Sequence, residues 1–402
     1  MVDMILRDIA YYVTDKINSN DVSIEDYVTT DCILQNKKGK EIATNLPPQP
    51  CSLIHYLPGD VLIANIRPYL KKIWYADKEG GASSDVLVLR VKEGHSSKYL
   101  YALLLQDSFF DYVMLGTKGS KMPRGDKEQI LRFAFPTLDV PEEKIGDLFF
   151  NLESKISLNL EINKNLEALA KQIYDYWFVQ FDFPDENGRP YKSSGGKMVW
   201  NEKLKRIIPE GWHCGNLFEI ATFTNGLACQ NNRPKEGEKP LPVIKIREMR
   251  DGFTADSEYV SPNIPEAVRV YNGDILFSWS ASLEVMLWCF GNGGLNQHIF
   301  KVTSANDFPK SFYYYQLLNY VTIFKKMAEA RKTTMGHITQ DHLQQSTIAI
   351  PDDISIANKL DGIISPIFAQ IVKLQEEITH LTKQRNELLP LLMNGQVTIE
   401  FE

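Results

Sequence analysis

Cationic side chains gather in short segments of the first half of this sequence and recur in the second half. Residues 116–124 alternate lysine and arginine with glycine, serine and threonine, and residues 331–337 have a similar composition. Lysine and arginine donate hydrogen bonds to phosphate oxygens and position a nucleic acid without reading its sequence. The chemistry indicated is therefore contact with DNA. The residues assigned to this pair of segments are Lys118, Ser120, Lys121 and Arg124, with Lys332, Thr333, Thr334 and His337.

Two further pairs of segments show the same recurrence. One pair follows a predicted strand in each half, and the other is a short basic stretch. A run of charges is most often a solvated surface. Recurrence at equivalent places nevertheless favours DNA contact, with cations on phosphates and a few polar side chains on base edges. The residues are Arg67, Tyr69 and Lys71 with Ser278 and Trp279, and Lys37 and Lys38 with Lys245, Arg247 and Arg250.

Motifs that would support a reaction are missing from the sequence. There is no phosphate-binding loop, dinucleotide-binding glycine pattern, zinc-protease helix or nucleophile elbow. His337 and His342 are five residues apart, which is poor spacing for two metal ligands on one helical face. Asp352 and Asp353 are better explained as a helix cap than as an acid–base pair. We therefore predict no catalytic and no metal-binding residues, and we favour recognition or assembly over catalysis.

An aromatic-rich stretch spans residues 174–183. Two interpretations remain open at this point. The rings can pack between a helix and its domain, or they can form a docking surface for another subunit, because aromatic residues are enriched at interfaces. The residues assigned to docking are Tyr176, Trp177, Phe178 and Phe181.

The elements that position these residues come from a duplicated chain. Residues 58–62 reappear as residues 272–276, and residues 133–136 reappear as residues 348–351, at a spacing of about 214 residues. Two other matches occur between them in the same order. The spacing far exceeds the 20–50 residues of solenoid repeats, so it indicates two copies of a domain.

Each copy ends in a long stretch with apolar positions that alternate by three and four, which predicts a long helix. Two such stripes in one chain can bury each other as an antiparallel coiled coil. Asn159 and Asn163 would then help to fix the register. Gly362 and Pro366 predict a kink or a late start of the second helix.

The expected fold class is α+β, with two globular α/β domains, two long helices that form the antiparallel coiled coil, and a pseudo-twofold relation. Strands are predicted at residues 61–66, 86–91, 275–279 and 298–302, and helices at residues 98–107 and 310–330. The predicted division is a first domain at 1–140, a first helix at 141–183, a turn-rich linker at 184–207, a second domain at 208–351, a second helix at 352–395 and a tail at 396–402.

The composition excludes several protein classes. With 44% hydrophobic and 24% charged residues among 402, the chain has the composition of a folded protein. A net charge of −7 disfavours a protein that coats nucleic acid without specificity. The 5 cysteines include no C-x-x-C pair, which disfavours a disulfide or zinc scaffold and leads us to expect a cytoplasmic protein. We expect no signal peptide, and the sequence contains no apolar run of about 20 residues.

Three motifs occur in a characteristic order. Residues 177–183 are WFVQFDF, residues 208–212 are IPEGW, and residues 392–397 are LMNGQV. They resemble, in turn, the end of the first conserved helix, the opening of the second target recognition domain, and the terminal motif of the specificity subunits of type I restriction–modification systems. The GASSD sequence at residues 81–85 also fits this family. The first domain departs from the pattern, because it lacks a Pro-Glu-Gly-Trp opening.

The resemblance implies a non-catalytic subunit in which each target recognition domain binds half of a bipartite, asymmetric DNA target. It also implies two methyltransferase subunits that carry S-adenosylmethionine, and restriction subunits that use ATP and Mg²⁺, so that this chain itself binds no cofactor. Two alternatives remain. The chain could be a structural adaptor that does not touch DNA, or a nuclease or methyltransferase with an unrecognised site.

Overall fold

The structure, a computed structural model, describes residues 3–117, 121–280, 282–330 and 338–397. The chain forms two compact units. The first unit comprises Met1–Leu158 and His380–Glu402, and the second comprises Asn159–Thr379. Each unit combines helices with small sheets, which confirms the predicted α+β class with two domains and long helices. In the described part of the chain, no helix is both long and apolar enough to cross a membrane.

The described residues of the first unit form two four-stranded sheets and one two-stranded sheet. Its strands are β1 (Asp3–Ile5), β2 (Ala10–Tyr12), β3 (Lys16–Asn18), β4 (Tyr27–Val28), β5 (Ser52–Tyr56), β6 (Val61–Ala64), β7 (Ile73–Tyr75), β8 (Gly80–Ala82), β9 (Val86–Val91) and β10 (Ala134–Pro136). Its helices are α1 (Leu6–Ile9), α2 (Ser97–Leu104), α3 (Asp107–Leu115), α4 (Lys127–Ile130) and the start of α5 (Glu142–Tyr174). Strand β6 is buried along its whole length, as its aliphatic sequence requires in a central strand.

The second unit has the same mixture of elements. Its strands are β11 (Met198–Asn201), β12 (Arg206–Pro209), β13 (Trp212–Gly215), β14 (Ala221–Asn225), β15 (Leu241–Ile244), β16 (Tyr259–Val260), β17 (Arg269–Val270), β18 (Ile275–Ser278), β19 (Glu284–Leu287), β20 (Gly293–Leu295), β21 (Ile299–Ser304) and β22 (Ile348–Pro351). Its helices are α6 (Leu217–Ile220), α7 (Ile246–Asp251), α8 (Lys310–Ala330), α9 (Gln340–Gln344) and most of α10 (Ser355–Met393).

The sheet topology repeats between the two units. The sheet order β2-β9-β6-β7 in the first unit corresponds to β14-β21-β18-β19 in the second. The pair β1–β10 corresponds to β13–β22. Strand β8 pairs parallel with β4 and antiparallel with β5. Strand β20 likewise pairs parallel with β15 and antiparallel with β17. The duplication predicted from the sequence is therefore confirmed at the level of the fold.

The two long helices contribute residues to both units. In the second unit, Asn159 Nδ2 donates to Glu377 Oε2 at 3.0 Å, and Asn163 Nδ2 donates to the Ile371 carbonyl at 3.4 Å. The order of these partners shows that α5 and α10 run antiparallel there. Both asparagines are buried, at 1% and 8% exposure, so they lie in the seam and fix its register, as predicted.

A kink or a late start is predicted for the second helix, and the late start is wrong. Helix α10 begins at Ser355 and continues through Gly362 and Pro366. A proline inside a helix costs about 3 kcal/mol because it removes a hydrogen bond and crowds the preceding turn. Burial of the flanking Ile364 and Phe368 contributes about 1.5–3 kcal/mol for each side chain, and these contacts hold the helix together across the proline.

The segment predicted as a turn-rich linker contains regular structure. Strands β11 and β12 form an antiparallel hairpin, in which Trp200 lies opposite Ile207. The turn-rich residues 184–196 precede this hairpin. Their composition led to the prediction of a linker, although the short apolar runs after them form strands.

Candidate nucleic-acid interface

In the first unit, the three predicted basic segments meet near the end of β6. The Arg67 amide donates to the Pro123 carbonyl at 2.8 Å, which joins the segment after β6 to the 116–124 segment. The Lys37 amide donates to the Lys71 carbonyl at 3.0 Å, which joins the remaining segment. Backbone hydrogen bonds thus bring distant parts of the sequence into one group of loops.

Backbone strain is concentrated in these loops. Asn36, Lys37, Arg67 and Lys71 all have positive φ angles, of 57°, 63°, 53° and 50°. The left-handed region costs about 1–2 kcal/mol for a residue with a side chain, and such residues cluster at functional sites. The hydrogen bonds between the loops are what maintain this conformation.

The Lys37 side chain is buried among these loops and does not lie on their surface. Its side chain is only 6% exposed, and its Nζ lies 2.6 Å from Asp107 Oδ1. Lys71 Nζ lies 3.0 Å from the same oxygen. Burial lowers the pKa of Lys37 against the opposing effect of Asp107. This position corrects the prediction that Lys37 is a DNA-contacting cation, because a buried amine paired to a carboxylate braces the loops instead.

Other cations of the first unit are available for an external anion. Arg67, Lys38 and Lys121 are exposed and form no ion pair with a residue that the structure describes. Arg124 is 56% exposed and pairs with Asp85 at 3.2 Å. The Tyr69 ring is 50% exposed beside Arg67 in sequence. Lys118 and Ser120 lie outside the described residues.

In the second unit, the predicted cations that the structure describes are paired with carboxylates. Arg250 donates to Glu284 at 2.6 Å, and Lys245 pairs with Glu258. Exposed ion pairs contribute only about 0–1 kcal/mol, so a phosphate can replace the carboxylate at these two positions.

Arg247 is bound more firmly than the other two cations. It donates to Glu248, which is 1% exposed, at 2.7 Å. The same carboxylate accepts a hydrogen bond from the Ser257 hydroxyl at 3.0 Å. Removal of Arg247 would leave a buried carboxylate without its counterion, which indicates a structural contribution.

Ser278 and Trp279 end strand β18 but differ in accessibility. The buried Ser278 hydroxyl donates to the Ser282 carbonyl at 2.5 Å and accepts from the Glu284 amide at 3.0 Å, so the prediction of a DNA contact there is corrected. The half-buried Trp279 indole donates to Asn225 Oδ1 at 3.0 Å. The predicted residues Lys332, Thr333, Thr334 and His337 lie outside the described part of the chain.

Sequence reasoning missed the polar side chains around Trp279. The His298 ring centroid lies 5.5 Å from the Trp279 ring centroid. Gln297 Nε2 lies 3.4 Å from His298 Nε2. The signal that could have found them is the match between residues 81–87 and residues 294–300, which places both on a repeated turn.

The aromatic stretch after α5 belongs mostly to the core. Trp177, Phe178 and Phe181 are 8%, 2% and 3% exposed. The ring centroids of Phe178 and Phe181 lie 5.7 and 5.3 Å from that of Trp212. This burial corrects the docking prediction for these three residues and favours packing between helix and domain. Tyr176, at 39% exposure, remains available.

Among the described residues, no group of three or more histidine, cysteine, aspartate or glutamate side chains is arranged to hold a metal ion. The exposed cations and polar side chains of these loops suit hydrogen bonding and charge pairing with an anionic partner.

Comparison with known proteins shows which proteins this chain is similar to. Residues 209–388 match the family described as "Type I restriction modification DNA specificity domain". The chain is 23% identical to the type I restriction enzyme MjaIX specificity subunit of Methanocaldococcus jannaschii, across 90% of this chain and 83% of that protein. It is 25% identical to the HindI specificity subunit of Haemophilus influenzae, across 98% of each.

A solved structure shows the same fold. The type I S subunit of M. genitalium aligns with a TM-score of 0.59 and 12% identity, covering 100% of this chain and 96% of that one. Over nearly its whole length, this chain is therefore similar in sequence to specificity subunits of type I restriction–modification systems.

Proposed function

We propose that this chain is the non-catalytic subunit that determines the DNA sequence recognised by a type I restriction–modification complex. Each unit reads one half of a bipartite, asymmetric target, while α5 and α10 set the gap and dock methyltransferase subunits. The observation that carries the proposal is the convergence of equivalent loops beside the central strand of each unit, at Asn65 in the first and Trp279 in the second.

Charge and surface chemistry support this assignment. Exposed cations such as Arg67 and Lys121 suit phosphates, which position a duplex, while neighbouring polar groups suit base edges. The units share their topology but differ in these surface side chains, which favours two different half-sites. Because the net charge is −7, partner subunits supply much of the phosphate contact, and the chain alone binds DNA weakly with a steep dependence on salt.

The proposed partners carry the reactive chemistry. Two methyltransferase subunits bind S-adenosylmethionine, and restriction subunits bind ATP and Mg²⁺, so this chain holds no cofactor. Leu169, Tyr176 and Ile363 in the second unit are 46%, 39% and 44% exposed on or beside the long helices. Apolar groups of this kind are typical of surfaces that dock a partner subunit.

The test is methylome sequencing of a host that expresses this chain with its methyltransferase partners. We expect one bipartite motif with methylated adenines, lost when the chain is omitted. Changing Lys118, Lys121 and Arg124 together to alanine reduces methylation, whereas Lys16→Ala, an exposed control on β3, leaves it unchanged. Unaltered target choice and complex affinity in the triple variant would support a structural adaptor. Methyl transfer or cleavage by the purified chain alone would support a self-contained enzyme.

A further inference from the structure

A specific backbone junction lies where strand β6 ends in the first unit. The Asn65 amide donates to the Asp85 carbonyl at 2.9 Å, and the Gly125 amide donates to the Asn65 carbonyl at 3.2 Å. The first junction, defined by Asn65, Asp85 and Gly125, thus joins the strand end, the turn between β8 and β9, and the residue that precedes the Asp126 cap of α4.

The second unit repeats this junction at equivalent positions. The Trp279 amide donates to the His298 carbonyl at 3.3 Å, and the Ile338 amide donates to the Trp279 carbonyl at 3.0 Å. The equivalence follows from register, because β6–β9 and β18–β21 each pair over four positions that end one residue before Asn65 and Trp279. The second junction consists of Trp279, His298 and Ile338.

The turns at the two junctions also share their internal hydrogen bond. The Val86 amide donates to the Ser83 carbonyl at 3.0 Å, and the Ile299 amide donates to the Asn296 carbonyl at 3.1 Å. Duplication has therefore preserved the path of the backbone through both turns.

The side chains on the two turns differ, although the backbone is the same. The first turn presents an exposed Ser84 and an Asp85 that pairs with Arg124 at 3.2 Å. The second turn presents Gln297 and an exposed His298. A constant backbone with different polar side chains is the arrangement needed to read two different base sequences, because base-edge contacts carry the sequence information.

The backbone of the second turn is closely packed, whereas the Gln297 amide on this turn can still form hydrogen bonds. A Cβ atom on Gly226 would lie 2.2 Å from the Asn296 carbonyl oxygen, so the neighbouring backbone approaches the turn closely. The Gln297 amide oxygen accepts no hydrogen bond from any residue that the structure describes, and its Nε2 makes only the 3.4 Å contact with His298. A positioned amide with unused hydrogen-bonding capacity loses little entropy when it binds a base edge.

We propose that these two turns carry the specificity-determining side chains of the half-sites: Ser84 and Asp85 in the first unit, and Gln297 and His298 in the second. The inference rests on the proposed function and names the residues that read sequence within it. A glutamine amide makes two hydrogen bonds to adenine N6 and N7, and an arginine makes two to guanine O6 and N7. Gln297 therefore reads an adenine, and Asp85 positions Arg124 to read a guanine.

The experiment uses the complete methyltransferase complex and maps its motif by methylome sequencing. Gln297→Ala lowers discrimination at one adenine of one half-site by about tenfold to a hundredfold. Asp85→Ala relaxes a guanine of the other half-site. Gln297→Glu retains the shape but removes the donor, so it changes base preference at the same position without loss of the complex. Asn292→Ala and Glu79→Ala, at the opposite ends of β20 and β8, leave the motif unchanged.

The outcomes separate this inference from the proposed function. A wild-type complex without a bipartite motif overturns the proposed function and this inference with it. A wild-type bipartite motif that is unchanged in assembled complexes of Gln297→Ala, Gln297→Glu and Asp85→Ala overturns this inference alone. This inference alone is also overturned if the Gln297 and Asp85 variants lose base discrimination in the same half-site.

Discussion

Arg385 on α10 forms a buried ion pair with Glu153 on α5 in the first unit. The Arg385 Nη1 atom lies 2.7 Å from Glu153 Oε1, and the two side chains are only 6% and 8% exposed. Arg385 also donates to Asn386 Oδ1 at 3.0 Å. A charge at this depth is stable only beside its counterion, so the pair specifies which residues of the two helices meet.

Breaking this pair on one side destabilises the first unit. Arg385→Met leaves Glu153 buried without a counterion and lowers the free energy of unfolding by about 3–5 kcal/mol, measured by urea denaturation. The double variant Glu153→Leu with Arg385→Met recovers most of this loss. Lys383→Ala, which removes an exposed pair with Glu387, changes stability by less than about 1 kcal/mol. Equal losses in the single and double variants would contradict the assignment.

Asn163 destabilises the seam between α5 and α10, but it helps to fix the register of the two helices. Its Oδ1 atom is buried and has no hydrogen-bond partner among the described residues. Asn163→Leu removes this unpaired group and raises the free energy of unfolding by about 1 kcal/mol in urea denaturation. Asn159→Leu is the matched comparison. It breaks the hydrogen bond to Glu377, so it raises the free energy of unfolding by less than Asn163→Leu does. A larger gain for Asn159→Leu than for Asn163→Leu would refute this explanation.

The Lys37–Asp107 pair predicts an asymmetry between its two partners. Asp107→Ala leaves a buried ammonium group unpaired and costs about 1–3 kcal/mol of unfolding free energy. Lys37→Met replaces the buried stem with an apolar one of similar shape and leaves a carboxylate that is 59% exposed, so it costs less than about 1 kcal/mol. Urea denaturation of both variants measures the difference. A reversed order of the two losses would show that Lys37 is not a buried brace.

Salt dependence distinguishes surface cations from the internal lysine. Arg67→Ala removes one phosphate contact and decreases the slope of log affinity against log salt concentration by about one. Lys37→Met leaves that slope unchanged, because its amine already pairs with Asp107. Fluorescence anisotropy of the methyltransferase complex with labelled DNA, over a range of salt concentrations, gives both slopes. Identical slopes for wild type and Arg67→Ala would remove Arg67 from the interface.

We expect His213 to make the stability of the second unit depend on pH. Its Nδ1 lies 2.6 Å from Asp352 Oδ1, and its Nε2 lies 3.2 Å from Glu219 Oε2. Burial lowers the pKa of His213, but hydrogen bonds and charges from both carboxylates outweigh it, so the pKa is raised. This stabilisation is fully present below the unfolded pKa of about 6.5 and is lost as the pH rises through the higher folded pKa.

The measurement is the melting temperature of the second unit at pH 6 and at pH 8. Wild type melts at a higher temperature at pH 6, and His213→Gln reduces the difference. His298→Gln is the control, since His298 also lies in the second unit and has no carboxylate partner at ion-pair distance among the described residues. The same pH response in wild type and His213→Gln would disprove the contribution of His213.

Features that depend on local pattern or on repetition could be predicted from the sequence. The strand at residues 86–91 and the helix at residues 310–330 have the predicted bounds. Aliphatic runs between turn residues and long heptad stripes need no knowledge of their partners. The turns of both junctions lie within the matched residues 81–87 and 294–300, because duplicated sequence folds to the same backbone.

The accessibility of each candidate residue was decided only by tertiary structure. Lys37, Ser278 and Trp177 have side chains that suit binding, yet all three are buried in the folded chain. Residue type does not determine which segments will cover it, because burial arises from contacts between parts of the chain far apart in sequence. For the same reason the sequence alone determined a duplicated protein with basic loops, whereas tertiary contacts selected the side chains that remain free to bind.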